Sequence, residues 1–223
     1  VLDLSVATFG DLEQGARLVS SVYRVFESQF TQFANKREAF THISDVIVTA
    51  YNQEQIELSE LSSALEYVAN TAGKTEMSFE ELIATIGFLG TGMLRGSRAG
   101  TDLMNFFSDV IKKADVVKEK LDITIDPDKP FSPVKFMEDL HKKAEENKVT
   151  LAVLFDIFGQ RGRKGVMEIL NRWKDWQMVI KQTNKEMEGA TKRTKELVEE
   201  STIKKIAALH NAWDSFLMTL KNT

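Results

Sequence analysis

The sequence predicts an all-α protein: a compact multi-helix bundle followed by long, amphipathic C-terminal helices. Three observations predict it. Apolar residues recur three and four positions apart through most of the 223 residues. The only prolines, Pro127, Pro130 and Pro133, share one stretch, so no other segment carries a residue that breaks a helix from within. Capping signals, Asn35 with Glu38 and Ser78 with Glu81, stand directly before apolar-periodic runs. Hydrophobic residues make up 43% and charged residues 28%, an ordinary globular composition. Cysteine is absent, which excludes disulfides and thiolate metal sites.

Each element follows from its own pattern. Residues 11–29 place Leu12, Ala16, Val19, Val22, Tyr23 and Phe26 on one face. Asn35 caps the next helix, whose stripe is Phe40, Ile43, Ile47, Ala50 and Tyr51. Leu58, Leu61, Leu65, Val68 and Ala72 mark a third helix, stopped by Gly73. Ser78 and Glu81 form a capping box, each satisfying the other's free backbone N–H, with Met77 and Leu82 placed to close over it as a hydrophobic staple. That helix runs from Phe79 to about Leu89 and leads into a glycine-rich connection through Gly90, Gly92 and Gly96. Ser97 is the expected cap of a helix carrying Leu103, Met104, Phe106, Phe107 and Val110.

Residues 121–126 alternate like a strand but have no partner strand, so they read as an extended loop. Ser132-Pro133 restarts helix, with proline where its missing N–H costs nothing. Thr150 caps a short apolar helix to Phe158, Gly159 ends it, and Gly162 and Gly165 frame a basic turn. From about Val166 to Leu220 the pattern predicts one long helix or two. Trp173, Trp176, Ile180, Thr183, Met187, Ala190, Thr194 and Leu197 form a coiled-coil-like seam. After a phase slip near Glu200, Ile203, Ile206, His210, Trp213, Leu217 and Leu220 form a second stripe. The expected division is a helical core at 1–165 and an amphipathic extension at 166–223.

Net charge is −4. Through Val110 there are 7 basic and 15 acidic residues, giving −8, and the remainder carries 22 basic and 18 acidic, giving +4. This asymmetry reads first as solvated helix faces and second as suited to head-to-tail contacts or a charged partner, and it lacks the dense basic stripe of a specific nucleic-acid footprint. The most apolar run, 82–94, is shorter than the roughly 20 residues a bilayer span needs and holds three glycines. No basic-then-apolar leader opens the chain, which begins at Val1 already in an apolar pattern; it reads as a piece of a longer protein.

Searches for catalytic chemistry fail on spacing. His42, His141 and His210 lie on three different helices with no second histidine at i+3 or i+4, and no HExxH or similar spacing appears. No nucleophile elbow suggests a Ser-His-Asp site. Gly92 to Gly96 is too short for a phosphate loop, Ser97 stands where that loop needs lysine, and a helix precedes it. Gly90, Gly92 and Gly96 miss the dinucleotide spacing by one residue. Asp122, Asp126 and Asp128 do not open a calcium loop, since Phe131 and Met137 stand where it needs glycine and glutamate. Taken as a turn, the glycines give backbone access to φ > 0. No enzyme activity, cofactor or metal is expected.

Residues 60–103, ELSSALEYVANTAGKTEMSFEELIATIGFLGTGMLRGSRAGTDL, carry a helix ending in small residues, a capped helix of the form S-x-E-E-L-x-A, a glycine turn, and G-S-x-A-G-T-x-L. In order these are Ala69, Ala72, Ser78, Glu80, Glu81, Leu82, Ala84, Gly92, Gly96, Ser97, Ala99, Gly100, Thr101 and Leu103. The pattern resembles the core region of bacteriophage tail tape-measure proteins. The likeness extends upstream through 40–68 and downstream to the phenylalanine–glycine element Phe158-Gly159, departing at Arg161 to Lys164, where the family commonly has a small residue.

The resemblance implies a structural, mainly helical protein that lies in the tail lumen, sets tail length during tube polymerisation and leaves with the genome. It also implies tail-tip, tail-tube and assembly-chaperone partners, residence in the host cytoplasm during assembly, and several copies, a trimer by analogy. Ser78, Glu81, Gly92, Gly96, Ser97, Ala99, Gly100, Thr101, Phe158 and Gly159 are then structural motif residues. The alternative is a generic helical scaffold or adaptor that binds partner helices through its C-terminal seam.

Overall fold

The computed structural model describes the backbone of residues 2–8 and 10–221 and the side chains of those residues up to 203, together with 205 and 206. Among the described residues there are eleven α-helices and no strand: α1 (Leu2–Thr8), α2 (Leu12–Val25), α3 (Lys36–Glu54), α4 (Leu58–Ala72), α5 (Phe79–Thr91), α6 (Ser97–Lys112), α7 (Ala114–Leu121), α8 (Pro133–Glu145), α9 (Leu151–Asn171), α10 (Trp173–Glu186) and α11 (Ala190–Lys221). The all-α class is as the periodicity predicts.

α5 is the central helix. Phe79, Leu82, Ile83, Ala84, Ile86, Phe88 and Leu89 are each 0% exposed, and a helix apolar on all sides can only be a core helix. It packs on α3 and α10, with lighter contacts to α4, α6 and α9. Trp176 of α10 closes it on one side, its indole N–H donating to the Thr85 hydroxyl at 3.1 Å, so the large ring is buried without an orphaned donor. α6 lies between α4 and α9, and these two crossings are the most extensive in the fold.

Asp11 caps α2 by accepting from the Gln14 N–H. The helix ends at Val25, earlier than the apolar stripe suggests, and a 3-10 turn (Glu27–Phe30) follows. The reason lies in Gln29. Its amide donates to the Met77 carbonyl and accepts from the Phe79 N–H, both at 3.0 Å. The tighter turn delivers Gln29 to the start of α5, where it satisfies a donor that the helix itself leaves unpaired.

Gly73 does stop α4, but at φ −62° and not in the left-handed region. Its absent side chain makes room for Val25, whose Cγ1 would lie 2.9 Å from a Cβ there. Ser97 is the first residue of α6 and Gly96 is the cap. Residues 122–132 are the extended loop expected of 121–126, tied down by the Glu76 N–H to the Phe131 carbonyl at 2.9 Å. The basic turn expected at Gly162 and Gly165 is helix. α9 continues after a break at Gly159 (φ 61°, ψ −155°), so 160–171 form its second half.

The C-terminal seam is interrupted at Gly189 (φ 71°). Trp176, Thr183 and Ala190 face the core, whereas Leu197 is 67% exposed. Val166, Ile169, Trp176, Val179 and Ala190 belong to the same hydrophobic core as Leu4 and Phe79. Ile203 and Ile206 of the second stripe are exposed; the side chains of His210, Trp213, Leu217 and Leu220 lie outside the described residues.

Candidate functional site

The motif residues sort into two places along α5 and α6. Ser78 and Glu81 stand at the start of α5. The Glu81 N–H donates to the Ser78 hydroxyl at 3.1 Å and the Ser78 N–H to the Glu81 carboxylate at 2.9 Å, which is the capping box the spacing predicts. Met77 and Leu82, on either side of it, are buried. Beside the box, His42 and Glu80 pair at 2.5 Å in a half-buried position. Burial alone would raise the Glu80 carboxyl; the hydrogen bond from His42, a backbone hydrogen bond, the His42 charge and a hydrogen bond from Ser78 together outweigh it and hold the pKa below the usual glutamate value. The His42 ring also packs on Phe33 and Phe30. This arrangement fixes α3 to α5.

The glycine turn lies at the other end of α5, about 20 Å of helix away. Its glycines act differently from the expected way. Gly92 has φ −87°; a side chain there would have to displace Glu168 of α9, whose carboxylate oxygen would lie 2.3 Å from a Cβ. The left-handed residue is Met93 (φ 67°). Gly96, at φ 56° and ψ −132°, does need glycine. Three side chains pin the turn. Arg95 donates from Nε to the Gly90 carbonyl at 3.2 Å and pairs with Glu60 of α4 at 3.1 Å. Arg172 donates to the Thr91 hydroxyl at 2.9 Å, with its guanidinium over the Phe88 ring.

Past the turn, Ser97 is exposed, Ala99 and Gly100 are buried, and Thr101 is half-buried. Gly100 is the point of closest approach. A Cβ there would lie 2.1 Å from the Ala64 carbonyl oxygen and 2.8 Å from its backbone carbons, so α4 and α6 meet backbone to backbone. The opposite side of α6 is held the same way: a Cβ on Gly162 would come within 3.1 Å of the Phe106 backbone nitrogen. Phe158 closes the far end of that crossing against Phe106 and Phe136, with ring centroids 5.6 and 6.2 Å away. Gly159 has nothing within 4 Å of a would-be Cβ; it is there for its positive φ, which splits α9.

Sequence reasoning misses Gly162 and Gly165 as packing residues, although their three-residue spacing puts them on one helix face. It also misses Asp102. That carboxylate is buried, with Oδ2 unpaired, where α6 faces Gly165. Burial pushes its pKa up to about 6, against the opposing pull of Lys164, Arg98 and Arg161. Asp45, also unanticipated, accepts from the Gly189 and Thr191 N–H groups at 2.9 Å each, so α3 supplies the cap of α11 from 144 residues away. Among the described residues no group of three or more His, Asp or Glu could hold a metal ion, and no helix is long and apolar enough to cross a membrane.

The arrangement is a packing device. Two glycine contacts lock α6 between α4 and α9, and a capped core helix and a pinned turn bring it there. Comparison with known proteins finds the same stretch. The chain is similar to a curated tape measure protein of Pneumococcus phage Dp-1, 26% identical over an alignment of 227 residues that covers 96% of this chain and 19% of that protein. It thus spans about a fifth of that relative's length. No solved structure matches the chain. The family model described as phage-related minor tail protein matches residues 1–159, from α1 through the Phe158-Gly159 element, and the chain belongs to that family.

Proposed function

We propose that this chain is a folded station of a tape-measure protein: a structural, non-catalytic part that acts in tail assembly and tail-length determination. The observation that carries the reading is the α4–α6–α9 clamp. It makes residues 58–171 a compact body, within a family whose named relative is a tape measure about five times longer. A ruler works by extension, and a helix extends 1.5 Å per residue. A packed domain does not lengthen a ruler in that proportion. On this reading the length-setting segments lie mostly elsewhere in the parent protein, and this station holds contacts with tail-tip, tail-tube or chaperone proteins. It would sit in the tail lumen after assembly in the host cytoplasm, in several copies, and leave with the genome. Residues 1–165 would be the docking core, with the first part of 166–223, through Ala190, packed on it, and the remainder the extension that joins it to neighbouring helix.

The test is an in-frame deletion of these 223 residues from the parent gene, with tail length measured by electron microscopy. As extended helix they would account for about 330 Å of tail. Loss of tail assembly, or tails of nearly unchanged length, is the expected result. Tails shortened by about 330 Å would overturn the folded-station reading.

A further inference from the structure

One residue of the α5–α6 turn is not what local stability favours. The end of α5 is a Schellman turn: the Leu94 N–H reaches the Leu89 carbonyl at 3.0 Å and the Met93 N–H reaches the Gly90 carbonyl at 3.2 Å. That motif takes its left-handed residue at the position of Met93, where glycine fits without penalty and a Cβ is crowded. Glycines stand one residue before and three after, yet the left-handed position itself is methionine. The Met93 side chain is 84% exposed, well above the next large apolar residue described. Arg95 and Arg172 hold the backbone beneath it. The turn therefore presents an apolar tip from a fixed loop, with Arg95 and Arg98 exposed beside it. A local rule broken at an exposed residue points to a functional or a strained position.

The same chain carries a matching recess. α2 and α4 enclose an open groove of about 710 Å³, with Leu18, Val22 and Leu65 in its floor and Asp11 and Glu66 exposed on its rim. The rim's one arginine, Arg17, is already paired with Glu13 at 2.5 Å, and Asp11 caps α2, so the groove offers Glu66 to a cation on the tip.

We propose that Met93 anchors a head-to-tail contact between copies of this chain. The tip enters the α2–α4 groove of the next copy, and the exposed Arg98 faces the exposed Glu66. Because tip and groove are different surfaces, the contact is heterologous and each copy uses both. This deepens the reading that the chain acts in several copies, and rests on it.

The test is sedimentation of the 223-residue chain and two variants, with melting temperatures measured alongside. The wild type is expected to associate with rising concentration, less so at high salt. Met93→Gly should abolish association while raising the melting temperature by about 2–4 °C. Glu66→Lys with Asn70→Lys, both at exposed positions, should abolish association with the melting temperature unchanged. Mixed in equal amounts, the two variants should form a 1:1 complex and nothing larger, since one retains the groove and the other the tip. If Met93→Gly associates like the wild type, or the mixture stays monomeric, the docking contact is wrong while the multi-copy reading stands. If the wild type stays monomeric at every concentration, both fall.

Discussion

Gly100→Ala is the sharpest probe of the clamp, because two effects of known sign compete there. In an exposed helix interior, alanine is more favourable than glycine by roughly 1 kcal/mol, since it restricts the unfolded backbone. At Gly100 the added methyl would meet the Ala64 carbonyl oxygen at 2.1 Å. Ordinary contact begins at 3.4 Å, so α6 would have to move off α4 by about 1.3 Å, the difference between the two distances. It has nowhere to go, because Gly162 brings the backbone of α9 against Phe106 on its other side. Overpacking a core costs about 1–3 kcal/mol where side chains can give way, and here both obstacles are backbone. We expect a net loss of about 3 kcal/mol after the alanine gain, and a melting temperature lower by about 6–12 °C for a chain of this size. Thermal unfolding followed by circular dichroism reads it directly. An unchanged or raised melting temperature would show that the close approach is absent and the glycine merely tolerated. Gly100→Leu should go further and prevent folding or tail assembly; unchanged stability together with unchanged assembly would refute the clamp.

Other substitutions test the remaining parts of the fold. The Asp102 carboxyl has a folded pKa raised to about 6, so its contribution is fully present below about pH 4 and is lost as pH rises through 6. Asp102→Asn should therefore stabilise the chain at pH 7 by about 1–2 kcal/mol, below the full value of the shift because nearby cations and solvent share the charge, and the gain should vanish toward pH 4; denaturant unfolding at the two pH values decides it. Asp45→Ala removes both acceptors from the start of α11 and should cost about 1–2 kcal/mol, with amide exchange rising first at residues 189–195; uniform protection there would count against the remote cap. Ser78→Ala should cost about 1 kcal/mol, and Gln29→Ala more than that, because it leaves a donor and an acceptor at the α5 start unpaired; equal unfolding midpoints for Gln29→Ala and the wild type would contradict its capping role.

What could be read from the sequence follows the range of each interaction. The capping box at Ser78 and Glu81, the Asn35 cap and the stripes of α2 to α6 are local, and a one-dimensional pattern holds all the information they need. The termination of α2 at Val25 is not local, since it depends on Gln29 reaching residues 48 and 50 positions away. The glycines divide along the same line. Gly96 and Gly159 act through φ, which neighbouring residues can suggest; Gly73, Gly92, Gly100 and Gly162 act through what stands opposite them, which no neighbour reveals. The turn expected at Gly162 and Gly165 illustrates the cost of that blindness: glycine in a helix normally argues for a break, and here it permits one helix to lie on another.

This division bears on what kind of function the family motif encodes. Gly-Ser-x-Ala-Gly-Thr resembles the vocabulary of phosphate loops, yet its second glycine lies against the Ala64 carbonyl and its alanine is buried, so both serve helix packing. The pinned turn puts its exposed groups, Met93, Arg95 and Arg98, on the outside instead. The glycines and the buried alanine therefore hold the geometry, Arg95 pins the turn, and Met93 and Arg98 stay exposed. The arrangement combines rigidity from backbone contacts within the body with exposed side chains on a loop that the body holds still.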